Sequence, residues 1–217
     1  MFPHLPPMLR QHLSALRMLL VFTVVTGIVY PLAVTGIGRL AFGHQADGSL
    51  IEDHGKPVAS RLLGQNFALP KKNPDDISEP LRPDPQWFQP RPSAADAGKG
   101  AGPYDPTSSG ASNLGPDNPR LVMTIAERRA AVAAFDGVGP ASVPTDALTA
   151  SGSGLDPDIS PAYAFEQVAR VAKARGLPAE RVRALVAAHV RGRELGFLGQ
   201  ERVDVIELNH ALALLPA

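Results

Sequence analysis

From Met18 to Gly38 the chain carries 21 consecutive residues without a charge, MLLVFTVVTGIVYPLAVTGIG, closed by Arg17 and Arg39. A helix of that length reaches about 31 Å at about 1.5 Å per residue, against a hydrocarbon core of about 30 Å. The run predicts one membrane crossing. A cleaved secretory signal is the competing reading, with Arg10 and Arg17 as its basic start and the stretch to Tyr30 as its apolar middle. Apolar character resumes after Pro31 with Leu32, Ala33, Val34 and Ile37, and no clear small-x-small cleavage site precedes Arg39; both favour a retained anchor. Pro31 is tolerated in a membrane helix where neighbouring helices satisfy the freed carbonyl, and Gly27 and Gly36 permit close backbone approach. Arg10 and Arg17 on one side face Arg39 and Lys56 on the other, so the short tail decides orientation. A short tail with two arginines stays in the cytoplasm, which sends Leu40 to Ala217 outside.

Lys plus Arg equals Asp plus Glu at 21 each, so no global field draws the chain onto nucleic acid. Cysteine is absent, which excludes disulfides and thiolate zinc sites. Residues 48–67 read as a β-hairpin turning at Asp53-His54-Gly55. Eleven of the 22 prolines then fall between Pro70 and Pro119, forbidding long helices and central strands, while Trp87, Phe88 and Tyr104 within that stretch argue for an ordered excursion. A first soluble helix starts at Asn118-Pro119, carries Leu121, Ile125, Val132 and Phe135 inward, and stops at Gly137. A second runs from Ser160-Pro161 to Gly176 and buries Phe165, Val168 and Ala172. A third covers Ala179 to Arg191, with Val182, Leu185, Val186 and His189 on one face and Gly192 at its end. A fourth opens with Asp204 and Glu207 as a capping box and buries Val205, Leu208 and Leu212. The expected fold is α+β: a single N-terminal transmembrane helix, then one mixed soluble domain with a short β-sheet, about four helices and a long proline-rich irregular segment. The expected division is a cytoplasmic tail at 1–17, the membrane helix at 18–40 and an extracytoplasmic domain at 41–217, with the proline-rich excursion at 70–117.

The loop Ser151, Gly152, Ser153, Gly154, Leu155 and Asp156, leading into the helix at Ser160, has the small residues that cradle an anion on backbone N–H groups. It lacks the Gly-Lys-Ser/Thr of a Walker loop, so a rigid packing loop or partner contact is the favoured reading over nucleotide binding. Its glycines are expected to matter more than its hydroxyls. Ser109-Gly110-Ala111-Ser112-Asn113-Leu114-Gly115-Pro116 is a second small-residue loop of the same kind, with Ser112, Asn113, Leu114 and Gly115 as its candidate contact residues. Ser153, His189 and Asp156 are the residue types of a hydrolase triad, but no G-x-S-x-G elbow is present. Glu207 and His210 form E-x-x-H on a helix without the second copy a di-iron site needs, and His189 reads as a core histidine. Asp75, Asp76, Glu79 and Asp84 are interleaved with Lys71, Lys72 and Arg82 and read as a solvated face. No catalytic or metal site is expected.

Several blocks taken together carry a resemblance. They are VVTGIVYPLAVTGI in the apolar run, HQADGSLIEDHGKPVASRLLGQNF after it, WFQPRPSAA and SNLGPDNP among the prolines, LTASGSGLDPDISPAYAFEQVARVAKARGL, and LGFLGQERVDVIELNHAL near the end. Over almost its whole length the chain resembles the KdpC family, the C subunit of the Kdp potassium-transporting P-type ATPase. Asp105 stands where the family usually has Asn, Ala111 where it has Gly, and the Ala/Gly-rich stretch from Ala94 to Gly102 is longer. The resemblance implies a bacterial inner-membrane complex in which one partner forms a channel-like potassium pathway and another hydrolyses ATP. This chain would be a non-catalytic subunit needed for assembly, and would take part in gating potassium entry. It also implies a catalytic-chaperone role that raises ATP affinity, with ATP entering only as a transient ligand shared with the hydrolysing subunit. An extracytoplasmic domain could not touch cytoplasmic ATP, so such an effect would be a coupling through membrane helices.

Overall fold

A computed structural model of the protein describes residues 6–73, 75–96, 98 and 102–216. Part of the Ala/Gly-rich stretch, at 97 and 99–101, lies outside the described residues. The chain forms two compact units that divide between Ser49 and Leu50.

The first unit is one 35-residue helix, Pro7–Ala41, with mean hydropathy 2.1 across its most apolar window and no residue of that window buried. It consists of α1 (Pro7–Val24), a π-helical turn (Val25–Val29) and α2 (Tyr30–Ala41). The π turn answers Pro31. A proline inside a helix lacks the N–H for the carbonyl four residues back and its ring clashes with that carbonyl, here of Gly27. Widening the preceding turn, so that the Tyr30 N–H reaches the Val25 carbonyl, absorbs the misfit within the chain. The hydroxyls of Thr23 and Thr26 donate to the Leu19 and Phe22 carbonyls at 2.8 and 2.6 Å, so neither is left unpaired on an apolar surface. A short α3 (Gly43–Ala46) follows.

The second unit begins with the expected hairpin, β1 (Leu50–Asp53) against β2 (Lys56–Ser60). His54 and Gly55 both hold positive φ, 49° and 74°, the backbone a two-residue type I′ turn needs. α4 (Pro119–Asp136) is capped by the Asn118 side chain, which accepts the Arg120 N–H at 2.9 Å, and ends at Gly137 in the left-handed region. A 3-10 turn (Thr145–Ala147) and β3 (Asp158–Ile159) lead to α5 (Pro161–Glu166) and α6 (Val168–Arg175). The single helix expected from Ser160 to Gly176 is thus two, tightened at Gln167. α7 (Ala179–His189) stops two residues short of the expected Arg191, because Val190–Arg191 turns extended as β4. It pairs with β5 (Arg202–Asp204), which also pairs with β3, giving a three-stranded antiparallel sheet in the order β3-β5-β4.

α8 (Val205–Ala213) is capped by Asp204, whose carboxylate accepts the Ile206 and Glu207 N–H groups at 2.9 and 3.0 Å. The expected capping box is only half formed, because the Glu207 carboxylate lies between Arg61 and Arg191 instead of returning to the cap. The core joins Val168 and Val171 of α6, Val182 and Val186 of α7, Val203 of β5 and Leu208 and Leu212 of α8.

The proline-rich excursion is ordered by side chains that replace missing strand neighbours. Asn209 accepts the N–H of fully buried Phe88 and donates to its carbonyl, both at 2.9 Å. Gln167 does the same for Gln89, at 2.6 and 3.1 Å. Arg170 donates to the Pro85 and Trp87 carbonyls at 2.8 and 2.9 Å and to buried Asp136 at 2.6 Å. Trp87 packs beside Phe67 with the Arg175 guanidinium 4.2 Å above its ring.

Candidate functional site

The loop 151–156 is the point where four stretches of irregular chain meet. Its own hydroxyls hold its amides: Ser151 Oγ accepts the Gly154 N–H at 2.9 Å and Ser153 Oγ accepts the Leu155 N–H at 3.1 Å. Its carbonyls receive the neighbours. Ser153 takes the Gly110 N–H at 2.8 Å and the Ser109 hydroxyl at 3.0 Å, Gly154 takes the Ser93 hydroxyl at 2.6 Å, and Leu155 takes the Gly64 N–H at 2.8 Å. Asp156 pairs with Arg91 at 3.0 Å and caps the Asp158 N–H at the same distance.

Gly154 has φ 70°, and a Cβ there would lie 2.6 Å from the Gly110 carbonyl oxygen and 2.7 Å from the Ala95 amide. Both are backbone atoms that cannot swing aside, so this glycine is required for conformation and for space. The serines do more than the sequence reading expected. Removing the Ser151 hydroxyl leaves the buried Gly154 amide without that acceptor, so glycine and serine both hold the junction. Leu155 completes a small apolar cluster with Ala95 and Tyr104, whose hydroxyl donates to the Arg91 carbonyl at 2.6 Å.

The second loop, Ser112 to Gly115, is largely exposed, and Asn113 holds φ 52°. The first two residues of the loop expected at 109–116, Ser109 and Gly110, make the junction with Ser153.

Beside the junction a cleft of about 550 Å3 opens between Arg91, Asp146, Asp156, Asp158 and Arg202. Both of its arginines are already paired, Arg91 with Asp156 as above. Arg202 faces Asp158 at 3.3 Å and Glu194 at 2.8 Å, and Asp146 accepts the Ser160 N–H and hydroxyl at 2.6 and 2.9 Å. Burial pushes the Asp158 carboxyl upward, as does the nearby Asp156 charge, against the pull of Arg202 and Arg191.

The other constellations dissolve into local roles. His189 Nδ1 bonds to the Leu185 carbonyl at 2.8 Å, Ser153 Oγ to its own loop, and Asp156 to Arg91, so the three triad residue types have separate partners. Glu207 is bracketed by two arginines and unavailable as half of an E-x-x-H ligand pair. Asp76 accepts the Ser78 hydroxyl and amide, and Glu79 accepts the amides of Asn73 and Lys72, which holds both below the usual carboxylate range. The clamp of Gln167, Arg170 and Asn209 had no signal in the sequence beyond polar residues on otherwise apolar helix faces.

Comparison with known proteins covers nearly the whole chain. The family described as K+-transporting ATPase, c chain (KdpC) matches residues 12–213. A potassium-transporting ATPase KdpC subunit of Kineococcus radiotolerans is 56% identical over 205 residues, covering 94% of each chain. One from Streptomyces coelicolor is 49% identical over 213 residues, covering 94% of this chain and 92% of the relative. One from Mycobacterium bovis is 47% identical over 207 residues, covering 94% and 98%. With that extent of match, on a chain that pairs one long apolar helix with an α+β unit, the protein belongs to the KdpC family, the c chain of the K+-transporting ATPase.

Proposed function

We propose that the chain is a non-catalytic accessory subunit of a P-type, ATP-driven potassium uptake complex. It sits in the bacterial inner membrane as a single-pass protein with its N-terminus in the cytoplasm and its larger unit outside. There it stabilises the assembly of the pore-forming and ATP-hydrolysing subunits and takes part in gating potassium entry. The observation that carries this reading is the helix Pro7–Ala41, which buries none of its most apolar window within the chain and so needs lipid and partner helices to cover it. The 151–156 junction serves the same role, as a rigid packing element of the outer unit. Its Gly154 and Leu155 amides, which an anion cradle would have to offer, are bonded to Ser151 and Ser153.

Two variants in the assembled complex test this. Gly154→Val should destabilise the unit by about 2–5 kcal/mol through strain and overpacking, and Ser151→Ala by about 1–3 kcal/mol through the orphaned amide. Recovery of the complex should fall in that order, while the apparent ATP constant of whatever complex forms stays unchanged. A Ser151→Ala complex that assembles fully but loses ATP affinity tenfold, about 1.4 kcal/mol, would instead make the loop a nucleotide contact.

A further inference from the structure

α4 does not have the polar outer face that a surface helix in water carries. Val122 and Met123 are 55% and 64% exposed. Ala126, Ala130, Ala131 and Ala134 are exposed on the same half of the helix, where Arg120 and Glu127 are the exposed charges. At its edge this apolar face runs into a cleft of about 330 Å3, which Ala131, Val132 and Arg128 line from α4 and Pro90, Tyr104 and Tyr163 line from across.

Arg128 is the charge in that cleft that lacks a counter-ion. Its Nη1 donates to the Leu148 carbonyl at 2.9 Å, and among the described residues no carboxylate lines the cleft. The other arginine there, Arg91, is neutralised by Asp156. Burial alone lowers the Arg128 guanidinium from its ordinary value, with no acid to raise it again. A partner covering the apolar face would take Arg128 further from water, and this is unfavourable unless the partner brings an anion. A guanidinium offers five N–H donors in a planar fork that matches a carboxylate.

We infer that the exposed face of α4 and the Arg128 cleft form a docking surface for a segment of another subunit of the same ATPase, one presenting apolar side chains and an Asp or Glu that enters the cleft. A second copy of this chain is a poorer fit, since its equivalent face carries Arg120 as well as Glu127 and so brings no net negative charge to Arg128. Membership of the family as one named chain of a larger ATPase supplies the need for other chains.

The test uses the assembled complex with a benzophenone photo-crosslinker in place of Met123. The expected product joins this chain to another subunit, within a peptide that contains Asp or Glu. Arg128→Gln should lower its yield at least fivefold and Arg128→Lys should restore most of it. Ala130→Glu, on the exposed side where the fold has no need of alanine, should lower the yield equally with the isolated chain's Tm unchanged. An adduct to a second copy or to lipid overturns the proposal. So does the absence of any adduct, or a yield that neither Arg128→Gln nor Ala130→Glu alters.

Discussion

Glu166, on α5, has a buried Oε1 without a hydrogen-bond partner, and its carboxyl is pushed up to about 7, chiefly by burial and then by the Asp136 and Asp146 charges. A carboxyl raised in the folded state holds its proton there when the unfolded chain has released it. Between its ordinary value of 4.5 and about 7 the folded state therefore binds more protons, and stability falls as pH rises through that window. Asp204, raised to about 6 chiefly by burial, adds a loss of the same sign in the lower part of it. Glu166→Gln resembles the protonated side chain at every pH. Its Tm in detergent should match that of the parent chain near pH 5 and exceed it near pH 8. Parallel Tm curves for the two proteins across that range would show that Glu166 does not titrate between them. Nothing in the sequence marked Glu166, because its shift comes from burial, and then from charges on α4 and the 3-10 turn, that only folding brings about.

At the scale of elements, capping chemistry was readable because it is local. Asn118-Pro119 and Asp204 open helices, Gly137 and Gly176 close them, and His54-Gly55 turns the hairpin, each through atoms within a few residues. The strands β3, β4 and β5 were not readable. Two or three residues carry no period, and their pairing joins positions far apart in the chain. Order in the proline-rich excursion was legible from Trp87, Phe88 and Tyr104, but its cause was not, since Gln167, Arg170 and Asn209 look like ordinary polar residues on three turns of helix. Arg170 is the strongest of these ties and lies against the Phe135 ring at 4.4 Å. Arg170→Met should cost about 3–5 kcal/mol, because Asp136 would stay buried without its partner, and amide exchange at residues 85–89 should accelerate with it. A variant that loses stability while those amides keep their protection would place the tie elsewhere.

The whole molecule pairs a helix that needs apolar surroundings with a unit whose most specific loop is bonded inward. Together these favour a scaffold that couples to ATP hydrolysis through the membrane, and that account depends on the larger unit lying outside the cytoplasm. The chain has no cysteine, so one introduced residue is its single thiol. Gly152 is the place for it. It is exposed, no atom would meet its Cβ within 4 Å, and it leaves the Ser151 and Ser153 bonds intact. Gly152→Cys in otherwise cysteine-free complexes should react with a membrane-impermeant maleimide added to intact cells, with little further labelling after permeabilisation. Protection in intact cells, followed by labelling only once the membrane is opened, would put the 151–156 loop on the side of ATP and contradict the account.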